Sequence, residues 1–178
     1  DPGVIQTLCD LSKDARIALL IREPDADEET LHILFNQFKT ATAQIILHTK
    51  TPFHAAQLRR NPSWGLHLSA SENALQWRSA VTGPLGQSTH TVDAARKAFG
   101  QQVDYVTLSP IFTPTSKPDD TRPTVSFDAL HQVNTLGPTF ALGGIQPQRF
   151  KALRQRGIWG AAVMGDIFKA ERRLSDYF

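Results

Sequence analysis

The sequence predicts an α/β protein built as a (β/α)8 TIM barrel whose first strand lies upstream of Asp1. Two observations carry that prediction. Short apolar runs rich in Ile, Val and Leu alternate with helical stretches along the whole chain, and alternating β and α units specify a parallel sheet. Seven such units follow one another, one short of a closed barrel, and the segment Val4 to Leu11 has the pattern of the helix that would follow a first strand. An open doubly wound sheet is the competing architecture. The length of 178 residues suits one domain, taken as 1–178.

The elements follow in order. Ile17 to Ile21 is an uninterrupted apolar run, the pattern of a strand buried on both faces. Asp27 to Phe38 reads as a helix, with Leu31, Leu34, Phe35 and Phe38 on one stripe and acids in the first turn. Ile45 to Leu47 is a strand, Pro52 to Arg59 a helix with proline near its start, Gly65 to Leu68 a strand and Ser71 to Ala80 a helix. Leu85 to Ser88 is a weaker strand, and Thr91 caps a helix running to Phe99. Tyr105 to Leu108 is a strand, Ser126 caps a helix reaching Val133, and Phe140 to Leu142 is a strand ending in Gly143-Gly144. Pro147 to Arg156 is a helix with Gly157 as its C-cap, Gly160 to Met164 a strand, and Gly165 opens the last helix.

Composition narrows the function classes. An apolar fraction of 40% supports a packed core, and no apolar run approaches the length of a membrane span. A net charge of +2 without a Lys/Arg block gives no nucleic-acid footprint, and Lys169 to Arg173 reads as a solvated helix face. Cys9 is the single cysteine, so there is neither a disulfide framework nor a cysteine metal cluster, and a reducing, cytoplasmic setting fits.

In a (β/α)8 barrel the chemistry sits at the C-terminal strand ends, and phosphate is often held by the last two loops. Here those loops are Ala141 to Ile145, with Gly143 and Gly144, and Val163 to Asp166, with Met164 and Gly165. Glycine lets the backbone approach an anion, and the following helix points N–H groups at it. Other strand ends offer Arg22, a guanidinium for an anion or an ion-pair partner of Glu23. They also offer His48 with Lys50, and the run Ser88-Thr-His-Thr91, where Ser88 and His90 could contact phosphate or move a proton. His67, inside a strand, reads as a packed residue; His32, His54 and His131 read as surface residues on helices. From Phe112 to Asp120 the chain is a Pro-, Thr- and Ser-rich loop stretch whose single cation is Lys117, read as a flap over bound phosphates. Among strand-end carboxylates, Glu72 is the candidate metal ligand.

These pieces, in this order, resemble the thiamine-phosphate synthase/TenI family of (β/α)8 barrels, and most closely its divergent TenI-like branch. The pieces are Gly65-Leu-His-Leu68, Ser88-Thr-His-Thr91, Ser109-Pro-Ile-Phe112 with Ser116-Lys117, Ala141-Leu-Gly-Gly-Ile145 and Gly160-Ala-Ala-Val163. The resemblance implies a transferase of thiamine biosynthesis that couples hydroxymethylpyrimidine diphosphate to thiazole phosphate, releasing pyrophosphate with Mg²⁺ on the diphosphate. It implies Arg22 and Ser88 at the pyrimidine diphosphate. Ser116 and Lys117 would lie near the thiazole phosphate and the leaving pyrophosphate, and Gly143, Gly144, Met164 and Gly165 around the thiazole phosphate. Two alternatives come with it: a TenI-like thiazole tautomerase, with His90 as acid and base, and a non-catalytic thiazole-phosphate-binding module. The chain also departs from the pattern. Leu20 and Pro24 stand where the family has Gln and Lys, His48-Thr49 where it has Asn-Asp, and Glu72 where it has a second metal-binding Asp. The implied partners are small phosphorylated thiazole and pyrimidine substrates, not nucleic acid or membrane. A homodimer is common for such barrels, and Trp64, Trp77 or Trp159 could serve an interface or lie in the core.

Overall fold

A computed structural model describes residues 2–113, 122–164, 166–167 and 174–177, with side chains from residue 7 onward. Helix α1 (Pro2–Leu11) precedes β1 (Ala18–Ile21), and strand–helix units follow: α2 (Glu28–Gln37), β2 (Gln44–His48), α3 (His54–Arg60), β3 (Gly65–Leu68) and α4 (Leu75–Arg78). The chain continues through β4 (Leu85–Thr89), α5 (Val92–Gly100), β5 (Tyr105–Leu108), α6 (Phe127–Leu136), β6 (Thr139–Leu142), α7 (Pro147–Arg154), β7 (Gly160–Ala162) and a 3₁₀ turn, Leu174–Tyr177. Strand order follows the chain from β1 to β7, which is the arrangement of a (β/α) barrel-type fold. Two compact units divide it, Asp1–Gly86 and Gln87–Phe178.

In the first unit β1, β2 and β3 pair in parallel, with Ile21 opposite Leu47 and His48 opposite His67. The apolar stripe of α2 is covered as expected, with Leu31, Phe35 and Phe38 buried; Asp27 stands just before the helix as its N-cap, its side chain accepting from the Thr30 N–H. Phe35 meets Trp64 edge-on, so Trp64 belongs to the core. Three expectations need correction. Strand β1 is covered on alternate residues only, and Leu20 is exposed, so this strand is not buried on both faces. Helix α4 covers four residues of the expected ten; Asn73 and Ala74 make the local turn bonds that begin it, and Ser79-Ala80 turn away after Arg78. His54 is half-buried, its Nδ1–H given to the Thr51 carbonyl at 2.8 Å and its ring against Trp77.

In the second unit β5, β6 and β7 pair in parallel, with Leu108 opposite Ala141 and Leu142 opposite Ala162. Thr91 and Ser126 cap α5 and α6 by accepting from the Ala94 and Ala129 N–H groups. The α7 cap is Gln155 rather than Gly157, which lies beyond it with φ of 76°. Val106, Leu108, Leu130, Val133, Ala141 and Leu153 form the dry interior. The basic cluster Lys169 to Arg173 and Gly165, where the last helix was expected to open, lie outside the described residues.

Candidate functional site

Strand ends in each unit carry one group of chemistry-bearing residues. In the first unit the turn after β2 is sewn to the end of β1 by Thr51, which is fully buried. Its hydroxyl donates to the Ile21 carbonyl at 3.0 Å and accepts from the Glu23 N–H at 3.1 Å, fixing the backbone on both sides of Arg22. Arg22 is exposed, one residue past the Ile21–Leu47 pair, and so stands level with His48. His48 is buried, and its Nδ1 accepts from the Lys50 N–H at 3.0 Å, which leaves Nε2 as the N–H donor. Burial holds the His48 imidazole down to about 4; Arg22 pushes the same way, Glu72 opposes, and Lys50 and His54 add to the lowering. His67, with its ring 5.7 Å from His48, is held to about 3 by burial and then by His48. It is a packed residue, as expected.

Glu72 is already engaged. Its Oε2 accepts from the Ser69 N–H and from the Thr49 hydroxyl, each at 2.6 Å. Thr49, at the position of a metal-binding Asp by resemblance, therefore serves as a donor to the neighbouring carboxylate. Mg²⁺ asks for an octahedron of hard oxygens, including one or two carboxylates. A single hydrogen-bonded carboxylate among Arg22, Lys50 and two imidazoles does not fit it. Among the described residues no group of three or more His, Cys, Asp or Glu could hold a metal ion.

In the second unit, the end of β4 leans on the end of β5. The Ser109 N–H donates to the Thr89 carbonyl, and the Thr89 hydroxyl donates to the Thr107 carbonyl. Ser88 is half-buried on β4. His90 is exposed, and its Nδ1 lies 2.8 Å from the Ser109 carbonyl and 3.3 Å from the Ser109 hydroxyl. A carbonyl only accepts, so Nδ1 carries the proton and Nε2 is the nitrogen left to take one. The β6 end is a tight rim. Gly143 and Gly144 have φ of 101° and 60°, a left-handed backbone that glycine adopts without strain. The rim is stitched to the segment after β5: the Ile111 N–H donates to Leu142 O at 2.9 Å and the Phe112 N–H to Gly143 O at 3.2 Å. Met164 is exposed beyond the neighbouring strand β7. Ser116, Lys117 and Gly165 lie outside the described residues, as does the expected flap.

Two residues escaped the sequence reading. Thr51 follows a strand in an ordinary Thr-Pro turn, and nothing local marks it as a staple. Arg149, in the first turns of α7, reaches back to donate to the Gly144 carbonyl at 2.7 Å and lies 4.6 Å over the Phe112 ring. It braces the glycine rim beside a cavity of about 390 Å³ lined by Ile111, Phe112, Thr113, Thr124, Ser126 and Arg149, among others. A cation soon after a Gly-Gly turn was the available signal. Arg149→Met should cost about 1–2 kcal/mol through loss of one charged hydrogen bond and one cation–π contact. Urea unfolding checks it, with Arg149→Lys recovering part; unchanged stability would mean the brace carries no load.

Residues 11–167 match the family model described as thiamine monophosphate synthase. The chain belongs to the thiamine monophosphate synthase family. A thiamine-phosphate synthase of Synechococcus sp. is 36% identical over 112 residues, which is 60% of this chain and 31% of that protein. One from Prochlorococcus marinus is 30% identical over 110 residues, 60% of this chain and 32% of that protein. The chain thus spans about a third of the length of these two relatives. A solved structure described as thiamine phosphate pyrophosphorylase from Pyrococcus furiosus superposes with a TM-score of 0.74 at 19% identity, covering 94% of this chain and 82% of that one; at that identity it bears on the fold. Both strand-end groups and all seven strands of this chain fall within the matched residues. No helix among the described residues is long and apolar enough to cross a membrane.

Proposed function

We propose that this chain carries a thiamine-phosphate synthase activity, joining hydroxymethylpyrimidine diphosphate to thiazole phosphate with release of pyrophosphate. The observation that carries this reading is the family match over residues 11–167, which takes in both strand-end groups. The geometry supports a division of labour. The rim of Gly143 and Gly144, together with Met164 and Gly165, takes the thiazole phosphate on main-chain groups. Arg22 and His48, at the strand ends of the first unit, are assigned to the pyrimidine diphosphate. As the carbon–oxygen bond to the diphosphate breaks, the bonding electrons leave with pyrophosphate. Negative charge then builds on the leaving oxygens, where cations fixed beforehand lower the barrier. Ser116 and Lys117 are assigned to that end of the reaction. His90 has its Nδ1–H committed to Ser109 and offers Nε2 for a proton or a hydrogen bond.

Pyrophosphate release from the two precursors, measured with purified protein, tests the reading. The expected result is release that needs both precursors. Lys117→Ala should slow it on the order of 100-fold, about 2.7 kcal/mol, the loss typical of one electrostatic donor. Release that never exceeds the uncatalysed rate, with or without added Mg²⁺, would sink the synthase reading. A fully active Lys117→Ala would remove Lys117 alone.

A further inference from the structure

The strand ends of β1 and β2 have the chemistry of an anion cradle and lack that of a divalent metal site. We propose that this rim binds a diphosphate through protein cations, with no divalent ion required. The proposal takes its ligand class from the synthase reading and departs from what the family resemblance implies about Mg²⁺. Four observations carry it. Arg22 is exposed, and its flanking backbone is clamped on both sides by the buried Thr51 hydroxyl, so the guanidinium starts from a fixed base. The Thr51 N–H also donates to the His48 carbonyl at 2.9 Å, closing the turn that carries Lys50. His48, level with Arg22 across the β1–β2 ladder, accepts at Nδ1 and so presents Nε2–H, a donor suited to a phosphate oxygen. The carboxylate that could have recruited a metal, Glu72, is bound by the Ser69 N–H and the Thr49 hydroxyl.

The charges around the rim decide the sign. Arg22 and Lys50 both act on His48 as positive neighbours, with Glu72 the opposing charge. Glu23, next to Arg22, offsets part of the excess. A divalent cation approaching this rim meets two positively charged side chains, an imidazole donor and a carboxylate whose Oε2 is already bonded twice. A diphosphate meets two cations and an N–H. Thr49 in place of an acid fits the same logic, because its hydroxyl quiets the remaining carboxylate instead of adding a second one.

Calorimetric titration of inorganic pyrophosphate into the whole chain tests this, once in EDTA and once in millimolar MgCl₂. The expected dissociation constants agree within about threefold. Arg22→Met should weaken binding at least tenfold in EDTA, with Arg22→Lys retaining part, while circular dichroism shows both variants folded. A tenfold or greater tightening by Mg²⁺ that disappears in Glu72→Gln overturns the proposal, because it would reveal a working metal site. Pyrophosphate binding in neither buffer, or unaltered binding by Arg22→Met, overturns it as well. Failure of the synthase reading looks different: pyrophosphate binds in EDTA and depends on Arg22, yet the two precursors release none.

Discussion

Gly144→Val should destabilise the protein by about 2–5 kcal/mol and, on the synthase reading proposed above, abolish binding of thiazole phosphate. Two costs add. At φ of 60° a side chain crowds the carbonyl, costing about 1–2 kcal/mol for any L-residue and more for a β-branched one. A Cβ there would also lie 2.7 Å from the Thr113 carbonyl oxygen and 2.9 Å from Phe112 Cβ. Backbone oxygen cannot swing aside as a flexible side chain would, so the segment after β5 must be displaced, at about 1–3 kcal/mol. That displacement breaks the stitch from Phe112 N–H to Gly143 O and lifts the ring under Arg149. The control is Gly157→Ala. Gly157 has a similar φ of 76°, but nothing lies within 4 Å of its added Cβ. Only the conformational cost applies there, about 1 kcal/mol. Urea unfolding of the two variants beside the parent gives the comparison. Equal losses would mean that the close approach at the rim is unimportant, and that Gly143-Gly144 is an ordinary turn.

The same rim shows where sequence was informative and where it was not. Gly-Gly after an apolar run announces a left-handed turn, because one residue's φ is a local property. The caps at Thr91 and Ser126 were legible for the same reason: each bonds an N–H three residues on. Strands Gly65–Leu68 and Tyr105–Leu108 are buried along their whole length although each carries one polar residue, His67 or Thr107. Ile17 to Ile21 is the more uniformly apolar run, yet Leu20 is exposed, since a run of apolar residues does not say which face has a neighbour. Site residues that act through distant backbone were invisible. Thr51 bonds across 30 residues to Ile21, and Glu72 across 23 to Thr49. A pairwise contact of that span leaves no periodic mark. That the Glu72 carboxylate is hydrogen-bonded by Ser69 and Thr49 needed its partners to be seen.

Acid should weaken this fold earlier than carboxylate protonation alone would, because of two histidines. His67 lies in β3 with 2% of its surface exposed, held to about 3 by burial and by neighbouring His48. His48, at the end of β2, is held to about 4 by burial first and Arg22 next; Lys50 and His54 push the same way and Glu72 pulls back. In the unfolded chain both titrate near 6.5. Between those values the unfolded state binds protons that the folded state refuses, so unfolding takes up protons and stability rises with pH. The contribution is therefore complete above 6.5, is lost as pH falls below it, and levels off near 4 for His48 and near 3 for His67. At up to about 1.4 kcal/mol per pH unit for each imidazole, the loss from pH 7.5 to 4.5 should be roughly 2–5 kcal/mol. Urea unfolding at half-unit intervals measures it. His67→Gln removes one of the two titrations and should flatten the slope by about half, even though losing a packed ring lowers stability at pH 7.5. The informative quantity is the slope, which a packing loss leaves alone. Parallel curves for parent and variant would show that His67 accepts its proton as readily in the fold as outside it, and the argument from burial would fail.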